Sequence, residues 1–194
     1  MSFQHIIKIP KERIGALIGK RGKVKQEIEQ KCSVKVEIDS DTGDAVISGN
    51  GSIDQMEIFK AVEVVSAIAR GFSPQRAYRL FEATTEEIDA VVYQMVDLRD
   101  FAGKSPNALD RVRGRIIGES GKSRRTLEEL SGAYISVYGY SAGIIGSFRE
   151  VKLASEAIRM LAKGNMHKTV YNMLQQARRN EKLDRMRLWE DSTG

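Results

Sequence analysis

The sequence predicts an α+β chain built from two tandem copies of one β-α-α-β-β-α unit. Each copy carries a three-stranded antiparallel sheet and is extended by a further C-terminal helix. Three observations predict this. Residues 13–38 (RIGALIGKRGKVKQEIEQKCSVKVEI) and 112–137 (VRGRIIGESGKSRRTLEELSGAYISV) align at a constant offset of 99 residues. Both copies place Gly-x-x-Gly-Lys between two stretches of helical apolar spacing. Both then run into an alternating apolar segment. A repeat of about 80–95 residues has the size of a domain, not of a solenoid turn.

The elements of the first copy follow in order. Gln4 to Ile9 is an apolar cluster ending at Pro10, as a strand does. Lys11 to Ile18 is a short helix broken by Gly19-Lys20-Arg21-Gly22. Lys23 to Lys31 carries Val24 and Ile28 at helical spacing. Val34, Val36 and Ile38 alternate with Lys35 and Glu37, which predicts a half-buried strand. Thr42-Gly43 turns the chain into a second strand, Ala45 to Ser48. Ser52 is the expected N-cap of a long helix ending before Gly71, and Ser73-Pro74 opens another helix. In the second copy, Ala90 to Leu98 is the first strand, and Pro106 to Ile117 and Lys122 to Leu130 are the helix pair. Tyr134 to Tyr138 and Ala142 to Ile145 form the hairpin. Phe148 to Ala162 is the long helix, and Met166 to about Lys182 the added one. The domain boundaries follow: 1–83, a linker at 84–89 in which Thr84 or Thr85 with Glu87 caps a turn, 90–182, and a tail at 183–194. A helix running on to Trp189 and a partner-binding tail are alternative readings of that last segment.

Composition sets limits on chemistry. The chain has 194 residues, 41% hydrophobic and 29% charged, with a formal net charge of +5. That tilts partners weakly toward polyanions. A single cysteine, Cys32, allows no internal disulfide and is expected as a small buried hydrophobe. His5 and His167 are far apart and lack cysteine neighbours, so no metal or other cofactor is expected. Without a run of 18 apolar residues or a signal-peptide core, the expected location is the cytoplasm, away from membranes.

The repeated loops, LIGKRGK at 17–23 and IIGESGK at 116–122, resemble the GXXG loop of KH domains, in the type I order. The glycines permit a sharp bend and a close approach by a sugar-phosphate backbone, and the next helix presents free N–H groups to a phosphate. Beyond the motif, residues 97–140, Ile144-Ile145-Gly146 and 163–174 (KGNMHKTVYNML) resemble archaeal ribosome-assembly KH proteins, relatives of the eukaryotic Pno/Dim and Krr factors. That resemblance implies a non-enzymatic, single-stranded RNA-binding protein that binds small-subunit ribosomal RNA near its 3′ end. It also implies partnership with a Nob-type endonuclease and an rRNA dimethyltransferase.

Carried onto this chain, the resemblance implies two grooves. The first takes Gly19, Lys20, Arg21, Gly22 and Lys23 as its clamp, with Ile14, Leu17, Ile18, Val36 and Ile38 as apolar floor. The second takes Gly118, Glu119, Ser120 and Gly121, with Ile116, Ile117, Ile135 and Val137. Strand alternation turns some of these aliphatics into the core. Glu119 departs from a basic loop, but Arg111, Arg113, Arg115, Lys122, Arg124 and Arg125 surround it. Six cations against one acid read as a phosphate track, so the second unit is expected to supply more of the RNA affinity. Aromatic residues are few, so base recognition is expected to rest on aliphatic packing and hydrogen bonds. Tyr134, Tyr138 and Tyr140 share a face if their strand continues, and that face is expected in the core or at a domain interface.

Competing classes fit less well. GESGKS looks like part of a P-loop, but the position that needs glycine is Ile116 and a helix precedes the loop. Asp39, Asp41 and Asp44 fall in a hairpin turn, where aspartate serves the backbone. Two alternatives stay open: a protein-interaction scaffold with degenerate grooves, and a single-stranded DNA binder.

Overall fold

The computed structural model describes residues 3–49, 55–82, 90–103, 105 and 107–191. The chain forms two compact units, Met1–Gln94 and Met95–Gly194. The first contains β1 (Phe3–Lys8), α1 (Lys11–Ile18), a 3-10 turn (Lys20–Gly22), α2 (Lys23–Cys32), β2 (Lys35–Ile38), β3 (Asp44–Gly49), α3 (Gln55–Ala69) and a short α4 (Pro74–Ala77). The second sheet opens with β4 (Val91–Asp97), within which the boundary between the units falls. Then come α5 (Ala108–Ile117), a 3-10 turn (Glu119–Gly121), α6 (Lys122–Ser131), β5 (Tyr134–Tyr138), β6 (Ser141–Ser147), α7 (Phe148–Ala162) and α8 (His167–Asp191). The expected cap Ser52, the linker at 84–89 and Pro106 lie outside the described residues.

Both sheets have the hairpin's second strand in the middle, in the orders β1-β3-β2 and β4-β6-β5. The antiparallel register pairs Val36 with Ile47 and Ile6 with Val46. In the second hairpin Ile135 pairs with Ile144 and Val137 with Ala142. The repeat seen in the sequence is largely the repeat of the core. Leu17 and Ile116, Ile28 and Leu127, and Val36 and Ile135 are each fully buried. The positions that had to stay apolar to bury a helix pair against a sheet are those at which the two copies match.

Local chemistry sets the ends of the elements. Ser73 Oγ accepts from Arg76 N, with Pro74 at the first helical position of α4. Ser147 and Glu150 form a reciprocal capping box at the start of α7, with Ser147 N donating to Glu150 Oε2 at 2.7 Å. Asp39 Oδ1 accepts from the N–H groups of Asp41 and Thr42, which holds its carboxyl below the usual range. Of the three hairpin acids Asp39 serves the turn, whereas Asp44 opens β3 and pairs with Lys8 at 3.0 Å. Helix α8 runs past the expected Lys182 to Asp191.

Tyr134, Tyr138 and Tyr140 do not all lie on one strand. β5 stops at Tyr138 because Gly139 takes a positive φ of 57° and turns the chain. Tyr140 instead stacks beneath the Arg99 guanidinium, 3.9 Å from the ring centroid. Tyr134 is exposed, and Tyr138 and Tyr140 are half-buried, so none belongs to the core.

Two outcomes are expected. Ser147→Ala removes half of the capping box and should destabilise the chain by about 1 kcal/mol in urea unfolding. Burial, reinforced by Glu57, pushes the Cys32 thiol up to about 11 from its ordinary 9.0. The unfolded thiol ionises first, so stability should fall as pH rises from 9 to 11, and Cys32→Ala should flatten that part of the profile. The native protein should also resist a thiol reagent at pH 8 and react once denatured.

Candidate nucleic-acid interface

The two glycine loops have almost the same backbone. Gly19 sits at φ 72°, ψ 177° and Gly118 at φ 70°, ψ 176°. The third residues, Arg21 (φ 55°) and Ser120 (φ 48°), are left-handed, as are Gly22 (φ 76°) and Gly121 (φ 77°). A backbone bond links the two glycines of each loop: Gly22 N to Gly19 O, and Gly121 N to Gly118 O, both 3.2 Å. Among the described residues no side chain caps the next helix, whose first N–H, that of Lys23 or Lys122, donates to Lys20 O or Glu119 O.

The two glycines of each loop serve different needs. A Cβ on Gly19 would clash with Val24 Cγ2, and one on Gly118 would lie 2.8 Å from Ser123 N. The first glycine therefore lets the loop press against the next helix, in a backbone region that only glycine adopts readily. At Gly22 and Gly121 a Cβ would meet nothing within 4 Å. The outer side of each loop is open, and neither bend is plugged by the protein's own atoms at that point.

The expected site residues divide into surface and core. Ile14, Leu17, Val36, Ile116 and Ile135 are buried, so they form the core and not the groove floor. Ile18, Ile38, Ile117 and Val137 are half-buried and remain at the surface. In the first unit Ile18 and Ile38 line a shallow hollow with Gly22, Lys25, Gln26 and Glu29. The last three were not among the sequence-derived site residues. Their signal was present in the 3-4 spacing along α2 from Gly22, which puts them on the side of the helix that borders the loop. Lys20 and Arg21 are exposed and have no side-chain partner among the described residues. Lys23 lies 3.8 Å from Glu27.

The cationic track of the second unit is smaller than expected. Arg115 turns away from the loop and donates to Leu161 O and Asn165 O, closing the C-terminus of α7. Arg113 pairs with Asp110, and Arg124 with Glu128 and Ile135 O. Arg125 (bonded to Ser120 O) and Lys122 remain exposed beside the loop, whereas Arg111 is exposed at the other end of α5, bonded to Ser105 Oγ and Asn107 O. Two exposed cations there compare with Lys20, Arg21 and Lys23 in the first loop, so the excess that favoured the second unit is gone. Glu119 is exposed on its loop.

Comparison with known proteins agrees with this geometry. Residues 4–65 match the KH domain family, and residues 92–179 match the eukaryotic-type KH domain, KH-domain type I. A KH domain-containing protein of Methanocaldococcus jannaschii is 41% identical over 185 residues, covering 95% of this chain and 78% of its own. This chain belongs to the tandem KH-domain family of Dim2p and PNO1. The pre-rRNA-processing protein PNO1 of Chaetomium thermophilum is 28% identical, and the chain spans 63% of its length. The crystal structure of Dim2p from Pyrococcus horikoshii matches with a TM-score of 0.80 at 42% identity, over 90% of this chain and 99% of that one. A chain in the a/eIF2alpha–aDim2p–rRNA complex of the same organism matches with a TM-score of 0.82 at 41% identity, over 92% of this chain and 96% of that one. Among the described residues of this KH protein, no helix is long and apolar enough to cross a membrane.

The two KH loops make a stability prediction. Gly19→Ala and Gly118→Ala meet both a clash and a glycine-only backbone, whereas Gly22→Ala meets only the left-handed cost of about 1–2 kcal/mol. Urea unfolding should rank the first two as clearly more destabilising than the third.

Proposed function

We propose that this protein binds single-stranded small-subunit ribosomal RNA, near its 3′ end, during ribosome assembly, and that each KH unit holds a short stretch of the strand. The observation that carries this reading is the open outer side of both loops, each leading into a helix that no side chain caps among the described residues. A phosphate seated there would meet backbone donors and a positive helix end at once. Exposed Lys20, Arg21 and Lys23 on one side, and Lys122 and Arg125 on the other, add charge. Half-buried Ile18, Ile38, Ile117 and Val137 offer apolar surface for bases in place of aromatic stacking. The relatives lend support: PNO1 proteins are named for pre-rRNA processing, and a close structural match comes from a complex with rRNA. Family resemblance extends the proposal to a Nob-type endonuclease and an rRNA dimethyltransferase as protein partners.

A second reading, a scaffold with degenerate grooves, draws on Glu119, which places a negative charge on the second loop. Fluorescence anisotropy with a short single-stranded RNA separates the two. Arg21→Asp and Ser120→Asp put a carboxylate at exposed, left-handed positions that aspartate tolerates, so the fold should survive. Each should weaken binding by about tenfold, the pair should abolish it, and the affinity of the unsubstituted chain should fall steeply between 50 and 200 mM salt. Absence of binding even at low salt would favour the scaffold. Equal affinity for the deoxyribose oligonucleotide would favour the single-stranded DNA alternative.

A further inference from the structure

The two grooves differ in the state of one carboxylate. Glu29 on α2 and Glu128 on α6 hold equivalent places, and each fastens the edge strand beside it. Val36 N donates to Glu29 Oε1 at 2.9 Å, and Ile135 N to Glu128 Oε1 at 2.8 Å. In the second groove Arg124 Nη1 lies 3.2 Å from both oxygens of Glu128 and donates to Ile135 O as well. That carboxylate is neutralised and both its oxygens are engaged. In the first groove the matching cation is Lys25, whose Nζ is 3.8 Å from Glu29 Oε1, beyond hydrogen-bond distance. Glu29 Oε2 has no hydrogen-bond partner among the described residues. The Glu29 side chain lines the hollow formed with Ile18, Gly22, Lys25, Gln26 and Ile38.

The free oxygen of Glu29 is an acceptor beside the apolar surfaces of Ile18 and Ile38, a setting that suits the edge of a base and not a phosphate, which has only acceptors to offer it. A carboxylate oxygen only accepts hydrogen bonds. Cytosine and uracil have the same ring and nearly the same volume, but cytosine presents an exocyclic amine where uracil presents a carbonyl oxygen. Uracil's one ring N–H is flanked by two carbonyls, so approach to a carboxylate sets acceptor against acceptor. Buried mismatches of this kind discriminate strongly.

We infer that Glu29 makes the first groove selective for a base with an exocyclic amine over uracil. The inference rests on the RNA-binding reading above and adds the chemistry of the base. It gives the two KH units different preferences: the first reads an amine through an uncommitted acceptor, and the second, with Glu128 tied to Arg124, does not.

The test is fluorescence anisotropy of the full chain with labelled tetracytidylate and tetrauridylate. The cytidine strand should bind about tenfold tighter, the order of one well-placed base contact. Glu29→Gln keeps an oxygen for Val36 N and replaces the free oxygen with an NH₂ donor. It should preserve the melting temperature while bringing the ratio to one or below, by weakening the cytidine strand and strengthening the uridine strand. Glu128→Gln should leave the ratio within about twofold. Equal affinity of the unsubstituted chain for the two strands would overturn the inference, and so would a ratio that survives Glu29→Gln. Either result leaves RNA binding itself standing. Failure to bind either strand would instead bring down the RNA-binding reading.

Discussion

The close approach of each glycine loop to the helix that follows it is the constraint on which the rest of the site depends. Gly19 against Val24, and Gly118 against Ser123, leave no room for a Cβ. That contact sets the angle at which α1 meets α2 and α5 meets α6. It directs the open face of the loop outward, away from the core, and brings Ile18 or Ile117 to the surface while Leu17 or Ile116 stays buried.

The two units meet one structural need from different places. The third helix of each ends in carbonyls that lack intrahelical partners. In the first unit Arg13 supplies donors to Ile68 O and Phe72 O. In the second, Arg115 supplies them to Leu161 O and Asn165 O. Arg13 lies six residues before its loop glycine and Arg115 three, so no alignment of the two copies pairs them. A guanidinium can reach these carbonyls from either turn of the first helix because its stem is long and its donors are forked. The same reach explains why a count of cations overstated the phosphate track: Arg115 and Arg124 sit beside the second loop in sequence but bond to backbone carbonyls of their own fold.

Element order, the two hairpins and both loops were legible in the sequence because each depends on neighbours within a few residues. Glycine at a left-handed bend, serine before proline at a helix start, and alternation along an edge strand are local requirements. The continuation of α8 to Asp191 was less legible, because its charged and apolar residues suit either a helix or a free segment. The end of β5 at Tyr138 turned on one glycine, and it separated Tyr140 from the face that even spacing had assigned to it.

The sequence by itself determined that this chain is two copies of one unit, that each copy bends at a glycine loop between helices, and which aliphatic positions recur. Only the tertiary structure decided which of those aliphatics reach the surface, which arginines remain available and which groove keeps a carboxylate oxygen without a hydrogen bond among the described residues. The reason is physical. A bend or a helix start is set by the backbone preferences of adjacent residues. The availability of a charge depends on partners that folding brings from about fifty positions away in the chain, as Leu161 and Asn165 are brought to Arg115.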